Sequence, residues 1–176
     1  SNSDRVEGRL MDRINKASLL AKAYTGGTQR SQAHALADDV VLTITGKKGI
    51  AQTKITFKVD TGANSEIYVA DYDGHNAQAV TKDSTIVAAP CWVPGHFALY
   101  YTSYKSGYPE IVFHDLSSGT RRAAVKLGAQ NYTGAISPDG KRMAFISNKA
   151  GAPNVYVCDA DGGNPKRLTN TKDGES

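Results

Sequence analysis

Residues 66–74 read EIYVADYDG, residues 110–119 read EIVFHDLSSG and residues 154–163 read NVYVCDADGG. Their central aspartates, Asp71, Asp115 and Asp159, recur at an interval of 44 residues. The register extends without a gap to Phe57, Tyr101 and Phe145 and to Val59, Ser103 and Ser147. Between the second and third copies the turn formers coincide as well: Pro94 with Pro138, Lys105 with Lys149, Gly107 with Gly151 and Pro109 with Pro153. A β-rich pattern with a period of about 40 to 45 residues belongs to propeller blades, each a small four-stranded sheet. The expected fold class is mainly β: an incomplete propeller of antiparallel four-stranded blades, preceded by a small α/β segment.

Each copy parses in the same way. An inner strand (residues 88–93 and 132–136) enters a tight turn at Pro94-Gly95 or Pro138-Asp139-Gly140. A second strand follows (residues 55–59, 98–103 and 142–147), then a third (67–71, 111–115 and 155–159) and an outer strand (77–81, 121–127 and 165–169). Proline opening a turn, and Asp-Gly or Ser-Gly after a β run, are hairpin chemistry. The second and third strands are apolar at successive positions, as in Ile67-Tyr68-Val69, which predicts sheets covered on both faces. Residues 55–169 hold about 2.6 repeats and the first lacks an inner strand, whereas closed propellers have about 4 to 8 blades. The chain is therefore expected either to be an excerpt of a longer protein or to associate with itself, two copies completing a six-bladed ring.

The first 53 residues do not follow the repeat, so a boundary is placed between residues 1–53, the end of an α/β domain, and residues 54–176, about three blades. Residues 6–14 and 17–24 read as a hairpin turning at Asn15-Lys16, although residues 18–23 suit a helix equally. After Gly26-Gly27, Thr28 is placed to cap a helix whose apolar set Ala33, Leu36, Ala37, Val40, Val41 and Ile44 advances by three and four. Gly46 ends it, with Lys47 and Lys48 beyond, at the negative end of the helix dipole.

Composition narrows the function classes. The chain is 40% hydrophobic and 22% charged, with a formal net charge of +4. Its basic residues are scattered in short pairs such as Arg121-Arg122, so no nucleic-acid footprint is expected. No apolar run reaches the roughly 18 residues that span a bilayer. Cys91 and Cys158 occupy different repeat phases and read as small apolar fillers rather than a disulfide or a metal pair.

Residues 136–147 (ISPDGKRMAFIS), followed by NVYVCD at 154–159 and Arg167-Leu168-Thr169, resemble the repeat of the TolB family of propellers. The helix bearing Ala33-His34, Ala37-Asp38 and Leu42-Thr43 leads through TGKKGIA at 45–51 to Thr53-Lys54-Ile55. This junction is similar to the end of that family's amino-terminal α/β domain. The resemblance runs from about Arg9 onward. It implies a partial TolB-type propeller, with three of the family's six blades and part of its first domain missing. It also implies a periplasmic, non-enzymatic adaptor of the Tol-Pal system that binds the peptidoglycan-associated lipoprotein Pal. Two other readings are a gating propeller of a serine peptidase, whose catalytic domain would lie outside these residues, and an orphan propeller binding saccharide or another protein.

No Gly-x-Ser-x-Gly elbow and no His-Glu-x-x-His stretch occurs, so no catalytic residues and no cofactor are assigned. The Asp71-Tyr72-Asp73-Gly74 and Asp159-Ala160-Asp161-Gly162 turns start like calcium loops but lack the distal bidentate Glu, and no metal is expected there. The functional expectation rests on the connections leading into the inner strands, which lie at the mouth of a propeller's channel. The residues singled out are Asp83, Ser84 and Thr85 in the first connection and Gln130, Asn131, Tyr132 and Thr133 in the second, with Tyr132 as an aromatic anchor. By resemblance, the second connection is where the family contacts its lipoprotein.

Overall fold

The computed structural model describes residues 5–170, Thr133 by its backbone only. They form two compact units, one of residues up to Ile55 together with Ala70–Ala77, the other of Thr56–Val69 together with residues from Gln78 onward.

In the first unit, β1 (Val6–Met11) and β2 (Ser18–Tyr24) form an antiparallel hairpin, so the ambiguous residues 18–23 are strand. The Asp12 carboxylate closes its turn by accepting from Ile14 N–H at 2.7 Å and Asn15 N–H at 3.1 Å, and Lys16 takes φ 60°. Helix α1 (Gln29–Thr45) has the ends its sequence announced. Ser31 N–H donates to Thr28 Oγ1 at 3.1 Å, and left-handed Gly46 donates to the Leu42 carbonyl at 2.9 Å.

The face of α1 is not the one its apolar spacing suggested. Val41 and Ile44 are 41% and 66% exposed, while the buried residue is Gln32. A two-stranded ribbon, its strands about 5 Å apart, covers only one row of a helix. The covered row carries groups able to bond the ribbon. Gln32 Oε1 accepts from Val6 N–H at 2.8 Å, and Asp39 accepts from the Tyr24 hydroxyl at 2.8 Å and Lys22 at 2.7 Å. The approach is close at Gly8, where an added Cβ would lie 2.2 Å from Leu36 Cδ1 and the leucine would have to turn aside. The turn Ala70–Ala77 joins this unit through its acids: Lys54 lies 2.8 Å from Asp71, and Arg30 pairs with Asp73.

The second unit holds three antiparallel meanders. Blade 1 is three-stranded, β3 (Lys54–Asp60), β4 (Ser65–Asp71) and β5 (Gln78–Ala79), and lacks an inner strand as the repeat count required. Blade 2 comprises β6 (Val87–Trp92), β7 (Ala98–Ser103), β8 (Glu110–Asp115) and β9 (Arg121–Ala123). Blade 3 comprises β10 (Asn131–Ile136), β11 (Arg142–Ala150), β12 (Ala152–Asp159) and β13 (Lys166–Arg167).

The outer strands are shorter than the sequence suggested, two or three residues each. Main-chain bonds at the outer edge repeat every 44 residues, from Val80, Ala124 and Leu168 N–H to Ile67, Ile111 and Val155 carbonyls. One residue on, in blades 1 and 3, a threonine side chain takes part in the ladder. Thr81 Oγ1 accepts from Ile67 N–H at 2.8 Å and Thr169 Oγ1 from Val155 N–H at 2.9 Å, freeing the backbone to leave the sheet.

Blade faces meet in two cores. Ile67, Val69, Val87, Leu99 and Tyr101 fill the seam between blades 1 and 2. Tyr100, Ile111, Ala124, Val125, Met143, Phe145, Tyr156 and Cys158 fill the seam between blades 2 and 3. Blade 2 therefore has neighbours on both sides, and every residue of β7 is buried. In β11 burial alternates, with Met143, Phe145 and Ser147 buried and Arg142 and Ala144 exposed. Expected coverage on both faces fails there because, among the described residues, only blade 2 stands against blade 3.

Candidate functional site

Antiparallel register decides which loops meet. Inner strands β6 and β10 begin opposite the ends of β7 and β11, with Val87 facing Ser103 and Asn131 facing Ser147. The connections entering the inner strands therefore share one end of the blades with the β7–β8 and β11–β12 loops. Main-chain bonds fasten them together. Tyr104 N–H donates to Ile86 at 3.0 Å, Asn131 N–H to Pro109 at 2.9 Å and Asn148 N–H to Gln130 at 3.3 Å. The Asn148 side chain completes the last pair, its Oδ1 accepting from Gln130 N–H at 3.0 Å.

At this end an open cleft of about 600 Å³ is lined by Tyr108, Gly128, Ala129, Gln130, Asn148 and Lys149. It offers an exposed phenol, a carboxamide and an ammonium on backbone held by sheet ends. Such a set of aromatic and hydrogen-bonding groups suits the surface of another protein.

The residues singled out from sequence have different surroundings. Gln130 and Ser84 are exposed, and Tyr132 and Thr85 are half-buried. Asn131 is 3% exposed, with Nδ2 donating to the Ala129 carbonyl at 2.7 Å and Oδ1 buried without a partner. Its side chain shapes the connection from beneath. Thr133 lies in β10, its side chain outside the described residues.

Asp83 is a strut between the blades. Its side chain is 8% exposed and pairs with Lys105 at 2.7 Å and Arg121 at 2.8 Å, while Arg121 also donates to the Val80 carbonyl at 2.9 Å. Behind Arg121, at 3.4 Å, lies the Nε2 of His114, a residue 4% exposed. Burial, reinforced by the Arg121 charge, pushes the His114 pKa below its ordinary value.

The cleft residues that sequence reading missed are Tyr108, Asn148 and Lys149. Tyr108 had a signal: an aromatic in a turn between two strands, where the next repeat carries Ala152.

The aspartate turns bond themselves. Asp71 accepts from Asn76 Nδ2 at 3.0 Å and Asp159 from Asn164 Nδ2 at 2.6 Å, while Asp115 accepts from Ser117 and Ser118 N–H. Among the described residues, no three His, Cys, Asp or Glu side chains are gathered as a metal ion would require.

Residues 41–175 match the family model described as the TolB beta propeller domain. The Tol-Pal system protein TolB of Bordetella pertussis is 33% identical over 167 residues, 93% of this chain and 38% of that protein. Its counterpart in Anaeromyxobacter dehalogenans is 34% identical over 146 residues, 82% of this chain and 33% of that protein. The chain thus spans about a third of the length of these curated relatives. The crystal structure of TolB from Acinetobacter baumannii superposes with a TM-score of 0.81 at 28% identity, covering 94% of this chain and 43% of the other. The family model covers all three blades together with the end of α1, and the chain belongs to the TolB β-propeller family.

Proposed function

We infer that this chain is a non-enzymatic, protein-binding scaffold of the bacterial cell envelope. It works in the periplasm as part of a Tol-Pal system and holds a Pal-type lipoprotein on the connections leading into β6 and β10. The observation that carries this reading is the cleft at the ends of β8, β10 and β11. There Tyr108 and Gln130 project from loops, and Lys149 from the end of β11, all fastened to one another by main-chain bonds. Rigid sheets presenting adaptable loops are the usual economy of a recognition scaffold. The relatives at 33% and 34% identity carry the name of the Tol-Pal system, which selects the partner to try first.

The test is calorimetric titration with the soluble domain of a Pal-type lipoprotein. Tyr108→Ala and Lys149→Glu are expected to weaken binding about tenfold each, the scale of a single interface anchor. Lys58→Ala, on blade 1, is expected to leave it unchanged. Absence of binding, or binding indifferent to both cleft variants, overturns the reading. A glycan array run in parallel separates the saccharide-binding alternative.

A further inference from the structure

The repeat sets an aromatic pair on the second and third strands of a blade, and blade 2 departs from it. Phe57 with Tyr68 and Phe145 with Tyr156 hold equivalent positions and stack, with centroids 6.0 Å and 5.7 Å apart and planes at 23° and 27°. In blade 2 the same positions hold Tyr101 and Val112, which face each other across β7 and β8. A ring present in two copies of the repeat is thus missing from the third. The position ahead of the inner strand changes in step. Leu127 packs against the core between blades 2 and 3, and its equivalent one repeat earlier is Asp83.

Both changes border one cleft. A space of about 340 Å³ lies against Tyr101 and Val112, with Asp83, Lys105, Glu110 and Arg121 around it. Ligand pockets begin at about 300 Å³. Every wall belongs to blade 2 or to the connection entering it. The lining selects the occupant. Val112 and Ala123 make an apolar floor where, one repeat on, the ring of Tyr156 is buried. Three cations, Lys105, Arg121 and Arg122, stand against two carboxylates, Asp83 and Glu110, which leaves one positive charge uncancelled. Lys105 is 67% exposed and free to turn from Asp83, because Arg121 holds that carboxylate at 2.8 Å by its other oxygen. Tyr101 is 2% exposed, lines the cleft, and its hydroxyl meets no hydrogen-bond partner among the described residues. A buried hydroxyl in that state favours a ligand that brings an acceptor.

We propose that this cleft binds a small aromatic carboxylate, its ring on Val112 in the place Tyr156 takes one repeat on, and its carboxylate among Lys105, Arg121 and the Tyr101 hydroxyl. The ring supplies the apolar body that blade 2 lacks, and the single negative charge balances the lining. Two sources carry this chemistry: a free aryl acid, and a peptide chain ending in phenylalanine or tyrosine. The site is separate from the cleft at Tyr108 and does not require the loops to hold a protein.

The probe is 3-phenylpropionate, titrated calorimetrically into the 176-residue chain, with 3-phenylpropanamide as the uncharged control. The acid is expected to bind with a Kd of about 1 mM or tighter, and the amide at least about fivefold more weakly. Lys105→Ala, at an exposed side chain, is expected to weaken the acid about fivefold and to leave the amide unchanged. Val112→Tyr restores the repeat's own ring and is expected to abolish binding of both, with folding checked by the emission of Trp92, which packs against the same seam. If that variant fails to fold, Lys105→Ala decides. N-acetylated Gly-Gly-Phe separates the sources: binding tighter than that of 3-phenylpropionate assigns a chain end, and weaker binding assigns a free acid. No binding of the acid at about 10 mM overturns the proposal. So does equal binding of acid and amide, or binding of the acid that survives Val112→Tyr or is indifferent to Lys105→Ala.

Discussion

Phe145→Ala is expected to cost far more than the same change at Phe57, although the two residues hold the same place in the repeat and stack on equivalent tyrosines. Phe145 is 1% exposed within the seam of Tyr100, Ile111, Met143 and Tyr156. A buried phenylalanine removes roughly 150 Å² or more from water, worth about 4 kcal/mol at 25 cal/mol per Å². Buried Phe→Ala changes lie in the same range. Phe57 is half-buried, so its truncation is expected to cost about 2 kcal/mol. Urea unfolding followed by Trp92, the single tryptophan, reports on this unit because Trp92 packs against the seam of blades 1 and 2. With a slope of about 2 kcal/mol per M, the midpoint should fall by about 2 M for Phe145→Ala and about 1 M for Phe57→Ala. Equal losses, or a loss under about 1.5 kcal/mol for Phe145→Ala, would refute the claim that a neighbouring blade sets the energetics of a repeat position.

Three further outcomes are expected. His114 has a folded pKa below its unfolded value, so the unfolded chain binds more protons near pH 6; the stability it contributes is complete above the unfolded value of about 6.5 and is lost as pH falls through the folded one. Denaturation midpoints at pH 7 and pH 5 should therefore differ in the wild type and converge in His114→Gln. Asp83→Ala leaves Arg121 beside His114 without its carboxylate and should cost about 2 kcal/mol, whereas Lys105→Ala, whose side chain is 67% exposed, should cost less than about 1 kcal/mol in the same melts. Gly162→Ala would bring a Cβ to 1.8 Å from the Ala124 carbonyl at φ 91° and should lower stability by at least about 3 kcal/mol, while Gly128→Ala, at φ 62° in open space, should cost about 1 kcal/mol.

The period of Asp71, Asp115 and Asp159, the turn formers around Pro94 and Pro138, and the caps Thr28 and Gly46 could be read along the chain. Each reflects a local backbone preference or a spacing that any copy of the repeat must satisfy. They determined the number of blades, their strand order and the missing inner strand of blade 1. Burial could not be read in this way. Whether β7 or β11 is covered on both faces, and whether α1 buries Gln32 rather than Val41 and Ile44, depends on which element stands opposite, and the residue's own neighbours in sequence do not carry that information. The cleft is the same case. Tyr108 and Gln130 come from two separate connections and Asn148 and Lys149 from the end of β11, and only the antiparallel register of β7 with β8, β10 with β11 and β11 with β12 brings them to one end. That register is also what buries Asn131 and turns Asp83 toward Lys105 and Arg121, so tertiary pairing decided which of the anticipated loop residues face outward.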